Sequence, residues 1–421
     1  MDIGKMRSRG QGGDLKKIDL LFYLYGMDGG GAERHVLYLL ERLDRKRFSP
    51  RLYLECADGP YLPRVPADVP VANLYPSFEA RKSRLRAVRD ARLVAALGRY
   101  LSAYPPDLIY GRMYASALAA GLASWWSGCK APLVASEAIF PSVGIAPDLG
   151  RRSPLVLHLV KKVQRDVSRV IVCPAAAMVE DCVSFYGCAR TKLRVIPNGV
   201  DIEAVDRARA EAPAHPWATQ DIPLVVGMGR LCPQKGFDVL LRAFAIAARV
   251  NADARLLILG KGADGPRLVA EAAALGMGDR VDFPGWLPNP LAILSRAAAF
   301  VLSSRYEGFP NGVLEAMACG APVVATDCPS GPREILDGGT GMLVPVDDAE
   351  AMASALVRLL SDGGARREMA RKGRARVEER YSLPGMVAAY ERLFEEVAGV
   401  PSGAGLLADK KIPEMSNSSS V

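Results

Sequence analysis

The stretch Ser303-Ser304-Arg305-Tyr306-Glu307-Gly308-Phe309-Pro310-Asn311-Gly312-Val313-Leu314-Glu315 gathers more potential chemistry than any other in the chain. A strand pattern ends at Ser303, a Gly- and Pro-containing turn follows, and a helical pattern starts near Asn311. The first amides of such a helix, on Gly312, Val313 and Leu314, lack intrahelical partners and lie at the positive end of the helix dipole, which makes an anion site. Gly308 and Gly312 let a ligand approach the backbone closely. Glu307 stands before the helix and Glu315 inside it, with seven residues between them, so both carboxylates can reach one ligand.

A second cluster reads Gly229-Arg230-Leu231-Cys232-Pro233-Gln234-Lys235-Gly236. Its two cations can converge on one pyrophosphate, Arg230 as a fork and Lys235 as a point charge. A third, Gly260-Lys261-Gly262-Ala263-Asp264-Gly265, follows an apolar run and precedes a helical pattern, with Asp282 further on. Taken alone, that is a dinucleotide-binding fingerprint and predicts an NAD enzyme. A fourth glycine cluster, Gly29-Gly30-Gly31, follows the first apolar run.

The elements that must carry these loops follow from the hydrophobic pattern. Strand patterns at 18–25, 51–56, 107–110, 132–136 and 169–173 alternate with helical ones at 32–43 and 83–101. The pattern breaks at Ile196-Pro197-Asn198-Gly199 and restarts with strands at 224–228, 255–259, 281–283, 300–303 and 322–326 and helices at 237–250, 266–275, 291–296 and 312–319. Such alternation predicts βαβ units and a parallel sheet in each half. The expected domains are residues 17–199 and 200–383, with a last helix at 384–398 and disordered ends at 1–16 and 401–421. Open parallel sheets bind ligands beyond the carboxyl ends of their strands, where every one of these glycine loops falls.

Composition narrows the classes. The 421 residues are half hydrophobic and carry a formal charge of +8, which permits an anionic partner without naming one. Eight cysteines occur without a C-x-x-C and read as reduced thiols. His35, His158 and His215 are far apart and do not suggest a zinc site. No D-x-D is present to hold a divalent metal, and no run of eighteen apolar residues to span a membrane. Basic residues before the first apolar run imitate a signal peptide, but the run is short and glycines follow it, so it reads as the first strand of a cytoplasmic protein.

Together the motifs resemble those of glycosyltransferase family 4. Glu307 and Glu315 resemble its E-x7-E motif, Gly229-Arg230 with Gln234-Lys235-Gly236 its phosphate loop, Gly29 to Arg34 its GGAER, and Ile196 to Asp201 its interdomain segment. Ala325-Thr326-Asp327 through Glu334 and Gly341 to Pro345 also fit, and the resemblance spans roughly residues 18–397. It is nearest to the branch acting in bacterial polysaccharide or lipopolysaccharide assembly. The resemblance implies the GT-B architecture: two facing Rossmann-like domains, the last helix crossing back to the first. It implies a metal-independent, retaining transfer of a hexose or N-acetylhexosamine, without cofactor, from a nucleotide-sugar (a UDP-sugar before a GDP-sugar) to a glycan or lipid-linked acceptor. Arg230 and Lys235 would then hold the donor diphosphate and stabilise its departure. Glu307 would contact sugar hydroxyls, helped by the backbone of Phe309, Pro310, Asn311 and Gly312, with Val313 and Leu314 following. Glu315 would bind the ribose. Gly30 and Gly31 would approach the diphosphate across the cleft, Gly262 would border the nucleotide, Asp282 would be a strand residue near the base pocket, and Trp286 and Leu287 would flank the base. Glu137, at a strand end facing the cleft, is the acceptor candidate; Ala138 stands where many relatives carry a histidine. His35 reads as a core or surface residue rather than a base.

Two basic stretches remain. Arg81, Lys82, Arg84, Arg86, Arg89, Arg92 and Arg99 alternate with apolar residues, and Arg151, Arg152, Lys161, Lys162 and Arg165 flank a second apolar run. Such faces suit an anionic membrane surface, which places the protein peripherally at the inner face of the cell membrane, with no nucleic-acid partner. Two competing readings are an NAD-dependent oxidoreductase, favoured by the GKGADG loop alone, and a non-catalytic basic protein that binds membrane or nucleic acid.

Overall fold

A computed structural model of the chain describes residues 16–81, 86–146, 149 and 153–400. The ends expected to be disordered, apart from Lys16, and Lys82, Arg84, Arg151 and Arg152 of the basic stretches, lie outside the described residues. The first half holds β1 (Ile18–Leu24), β2 (Phe48–Cys56), β3 (Val71–Tyr75), β4 (Leu108–Arg112), β5 (Leu133–Ser136), β6 (Ser168–Cys173) and β7 (Leu193–Val195). The second holds β8 (Leu224–Met228), β9 (Arg255–Leu259), β10 (Val281–Gly285), β11 (Ala299–Leu302), β12 (Val323–Thr326) and β13 (Met342–Val344). The helices that matter for the site are α1 (Gly31–Arg42), α2 (Arg86–Ala103), α3 (Tyr114–Ser127), α4 (Pro154–Lys162), α5 (Ala177–Tyr186), α6 (Phe237–Ala247), α7 (Gly265–Ala274), α8 (Asn311–Cys319), α9 (Pro332–Leu336) and α10 (Leu383–Ala398).

The strand orders are β3-β2-β1-β4-β5-β6-β7 and β10-β9-β8-β11-β12-β13, with parallel pairing between neighbours. Each sheet reverses direction once, between β1 and β4 and between β8 and β11. A doubly wound sheet opens its ligand crevice at that reversal. The loops there are 25–30 after β1, Met113 after β4, 229–236 after β8 and 303–310 after β11.

The central strands are apolar on both faces because helices cover both; β1 reads Ile-Asp-Leu-Leu-Phe-Tyr-Leu with all but Asp19 buried. Three strands escape the hydrophobic reading. β3 falls in none of the strand patterns, and as an edge strand it is exposed at Val71 and only partly covered at Ala72 and Leu74. β7 and β13 are three residues each, too short to show a period.

α10 returns to the first domain. Its buried residues Leu383, Met386, Val387, Tyr390, Leu393 and Phe394 recur at helical spacing and enter the core formed by β1, β2, β4 and α1. The two chain crossings between domains run side by side: Val200 donates its amide to Tyr381 O at 2.8 Å, and Leu383 donates to Val200 O at 2.8 Å.

Candidate active site

The loop after β8 is sewn to the loop after β11. Gly236 has φ +60, and a Cβ there would lie 2.1 Å from Ser303 O, so only glycine allows the chain to turn into α6 against the end of β11. Ser303 Oγ donates to Lys235 O at 2.8 Å, and Gln234 Nε2 donates to Tyr306 O at 3.0 Å. This registration brings Lys235 Nζ to 2.6 Å from Glu307 Oε1, which also accepts from Ser304 Oγ at 2.6 Å. The expected phosphate cation and the expected sugar-binding carboxylate are therefore one mostly buried ion pair. Arg230 is exposed, with Nη2 3.5 Å from Gln234 Oε1. It is the cation of the loop that points to solvent.

α8 supplies the helix tip. Its Val313, Leu314, Ala316 and Met317 are buried and anchor the helix, while Asn311 and Gly312 remain partly exposed at its start. Phe309 and Pro310 are buried, the Phe309 ring 5.8 Å from that of Tyr381. One expected amide is not free: Val313 N donates to Pro310 O at 3.0 Å, because the first turn tightens to i→i+3 pairing. The amides of Asn311 and Gly312 precede it and stay outside the intrahelical ladder.

The first domain meets this tip. Gly31 opens α1, and a Cβ on it would stand 3.3 Å from Asn311 Nδ2. Gly30 precedes the helix as its cap. Arg34, one turn into α1, pairs with Glu315 one turn into α8, Nη2 to Oε1 at 2.5 Å. That carboxylate raises the already high pKa of the guanidinium. Asn198 Nδ2 donates to Asn311 Oδ1 at 2.9 Å, and the Glu334 carboxylate of α9 accepts from the amides of Ala176 and Ala177 at 2.9 and 2.7 Å. At Gly308 a Cβ would sit 2.1 Å from Ala138 O, so the two domains touch backbone to backbone. Between them is a cavity lined by Gly31, Arg34, His35, Asn198, Asn311 and Glu315 among others. His35 is buried against Tyr110 and Tyr390, and burial lowers its pKa well below the usual imidazole range.

The glycine fingerprint has a structural explanation. A Cβ at Gly262 would lie 2.1 Å from Leu231 O; Leu231 N donates to Lys261 O at 3.0 Å and Asp264 N to Leu231 O at 3.1 Å. The backbone of the 229–231 loop thus rests on the start of α7, where a dinucleotide would place its pyrophosphate. Asp282 on β10 pairs with His215 Nε2 at 2.9 Å. Trp286 is exposed, and Leu287 is partly buried against the core.

Two expectations need correction. Glu137 does not face the cleft: its amide continues the pairing of β5 with β6, donating to Val172 O at 2.8 Å, which turns the side chain into the domain. It is fully buried, accepts from Gln164 Nε2 at 2.8 Å and Tyr186 Oη at 2.9 Å, and burial pushes its pKa up to about 7. The first basic stretch, expected to face an anionic membrane, is not uniformly an exposed basic face either. Arg81 pairs with the buried Glu55 at 2.5 Å and stacks on Tyr25, and Arg89 also approaches Glu55 and pairs with Asp90. Arg92 and Arg99 do stay exposed. Arg34, Asn198, Ser304 and Glu334 are visible in the sequence only inside longer motifs, which give none of them a role of its own.

Residues 29–204 match the family described as Glycosyltransferase Family 4, and residues 222–362 the one described as Glycosyl transferases group 1. Both halves of the chain thus carry glycosyltransferase domains, the first that of family 4 and the second that of group 1. Among curated relatives, it is 35% identical over 228 residues to the lipopolysaccharide core biosynthesis glycosyltransferase LpsE of Rhizobium meliloti, covering 53% of this chain and 63% of that one. It is 27% identical to the N-acetylgalactosamine-N,N'-diacetylbacillosaminyl-diphospho-undecaprenol 4-alpha-N-acetylgalactosaminyltransferase of Campylobacter jejuni, over 85% of this chain and 94% of that one. Among solved structures, HepE of Anabaena in complex with UDP superposes with a TM-score of 0.74 at 20% identity, covering 90% of this chain and all of that one. The chain has the GT-B fold.

Proposed function

We propose that this protein transfers a hexose or N-acetylhexosamine from a UDP-sugar, with retention of configuration, to a glycan or lipid-linked acceptor in polysaccharide or lipopolysaccharide assembly. The observation that carries the reading is the convergence of Lys235, Glu307 and the tip of α8 at the crevice of the second sheet, with the exposed Arg230 on the same loop as Lys235 and Gly31 of the first domain opposite. The relatives support it by what they are called: one acts in lipopolysaccharide core synthesis, another on an undecaprenol-linked acceptor. HepE was solved with UDP.

The chemistry follows from where charge develops. Departure of the sugar builds negative charge on the diphosphate, and preorganised donors aimed there are the strongest catalytic device of such a site. The incoming diphosphate displaces Glu307 from Lys235, whose ammonium then serves the phosphate beside Arg230 and the amides of Asn311 and Gly312. Glu307, released, accepts from sugar hydroxyls while Ser304 keeps its position. Glu315 must exchange Arg34 for the ribose in the same way. Charge compensation by side chains and amides makes the transfer metal-independent. Retention follows from front-face attack in which the leaving phosphate takes the acceptor's proton.

No helix among the described residues is long and apolar enough to cross a membrane. A membrane-linked acceptor would be reached by peripheral contact at the inner face. Exposed Trp125 and Trp126 at the end of α3 and Leu155 on α4, with the exposed Lys162 ending α4, suit an anionic lipid surface.

The test is thermal stability of the full chain with UDP, UDP-glucose, UDP-galactose, UDP-N-acetylglucosamine, GDP-mannose and NAD, with and without chelator. A ligand at a hundredfold its dissociation constant adds about 2.7 kcal/mol. A shift with one UDP-sugar that chelator leaves unchanged and Lys235→Ala abolishes is expected, followed by sugar transfer from that donor. A shift with NAD alone overturns the reading.

A further inference from the structure

Arg112 ends β4 at the crevice of the first domain and is 2% exposed. Among the described residues it has no carboxylate ion pair. The next residue, Met113, takes φ +70, a backbone region that side chains other than glycine rarely occupy. A buried guanidinium outside any direct ion pair, its charge felt only through space by Glu137, and a strained turn are both costly, and such costs concentrate at functional positions.

The hydrogen bonds show what the guanidinium directs. Arg112 Nη1 donates to Ser136 Oγ at 2.9 Å and Nη2 donates to Asn198 Oδ1 at 3.2 Å. A guanidinium only donates. Asn198 must therefore turn its oxygen to Arg112 and its Nδ2 away, toward Asn311 Oδ1 at 2.9 Å. Asn311, whose oxygen is now taken, leaves its own Nδ2 beside Gly31. Gly31, Asn198 and Asn311 all line the interdomain cavity, and Asn311 is the first residue of α8.

We infer that Arg112 is a positioning residue that fixes the polarity of the Arg112–Asn198–Asn311 relay, so that α8 presents a side-chain N–H to an anionic nucleoside diphosphate in the cleft. The inference rests on the nucleotide-sugar reading of the site. The relay carries direction from one domain to the other: a donor-only group in the first domain decides which end of an amide in the second faces the ligand. A neutral amide at position 112 could donate or accept, and both asparagines would then be free to turn round. On its other side Arg112 holds Ser136, whose hydroxyl lies 3.3 Å from Tyr390 Oη on α10, so the relay is tied to the returning helix as well.

The experiment uses the full chain and calorimetric titration with UDP. Asn198→Asp keeps an acceptor for Arg112, now as an ion pair, but has no N–H. Asn311 must turn round to donate to it, and its oxygen then faces the ligand. The expected result is a melting temperature equal to or above that of the parent together with UDP affinity about tenfold weaker, the size of one hydrogen bond to a charged group. A merely structural role moves stability and affinity together. In an Asn311→Ala background the same substitution should cost little, because the relay then has no last member. An equal loss in both backgrounds means that the added charge acts directly on UDP, and overturns the relay; so does unchanged affinity in Asn198→Asp. Arg112→Lys, still donor-only, should bind UDP more tightly than Arg112→Gln, and the reverse order counts against the inference. If the parent chain binds neither UDP nor any UDP-sugar, the nucleotide-sugar reading fails first and the relay with it, which separates that failure from loss confined to the variants.

Discussion

Replacing Glu137 by Gln should stabilise the protein, and increasingly so as the pH rises. The carboxyl is fully buried with Gln164 and Tyr186 donating to one oxygen, and the other oxygen, Oε2, has no hydrogen-bond partner among the described residues. Burial is the main cause that lifts its pKa from 4.5 to about 7, against the opposing pull of Tyr186 and the Arg112 charge. The folded state therefore holds this proton more tightly than the unfolded chain. The stabilisation from that proton is fully present below pH 4.5 and is lost as the pH rises through 7. A shift of this size corresponds to about 3 kcal/mol, most of which is lost between pH 5 and pH 8. Gln keeps an acceptor for Tyr186 and Gln164 and never ionises. The melting temperature of Glu137→Gln relative to the parent should accordingly rise across that interval by several degrees, at about 2–4 °C per kcal/mol for domains of this size. Melting curves of both proteins at half-unit steps from pH 5 to pH 8 measure it, and taking the difference removes every other titrating group. A difference that stays flat, or that moves in the parent's favour at high pH, would refute the claim that Glu137 is buried and ionises at a cost.

Lys235→Ala should lower kcat for sugar transfer about 10²- to 10³-fold, the loss typical of one electrostatic group at a developing anion, as steady-state kinetics with the donor identified by stability shifts would show. Gly308→Ala places a methyl 2.1 Å from Ala138 O and should reduce turnover by holding the domains apart, while UDP affinity, measured by titration, changes little. Trp125→Ser together with Leu155→Ser removes two exposed apolar side chains and should weaken co-sedimentation with anionic vesicles about tenfold or more without altering the melting temperature.

How much of this was legible before any coordinates depends on the kind of interaction. β8 and β9 are legible to the residue because central strands in a doubly wound sheet are apolar on both faces, and here each is followed at once by a glycine, Gly229 and Gly260. β3, β7 and β13 were not, since edge position or three-residue length removes the signal. The loops of the second domain were legible as a set because helix tips, cations and carboxylates recur at fixed distances along the chain. What those groups do to one another was not. Lys235 and Glu307 are 72 residues apart and were expected to serve different parts of a ligand; only the packing of Gly236 on Ser303 makes them a pair. Glu137 was placed in the cleft by its position at a strand end, and one further backbone hydrogen bond to β6 reversed it.

The pairs that close the cleft share a pattern that bears on how it works. Lys235 holds Glu307 within the second domain, and Arg34 of the first holds Glu315 of the second. In each a cation occupies a carboxylate that the proposed function needs for hydroxyls. Neither carboxylate is left as a buried charge without a partner, which would cost several kcal/mol. A UDP-sugar supplies hydroxyls to both carboxylates and phosphates to Lys235, so binding exchanges partners within the site. Arg34 alone loses a partner from the other domain. Donor binding should therefore loosen the Arg34–Glu315 tie while leaving Asn198–Asn311 and the Glu334 clasp on Ala176 and Ala177 in place, so that the cleft adjusts about those fixed points without coming apart.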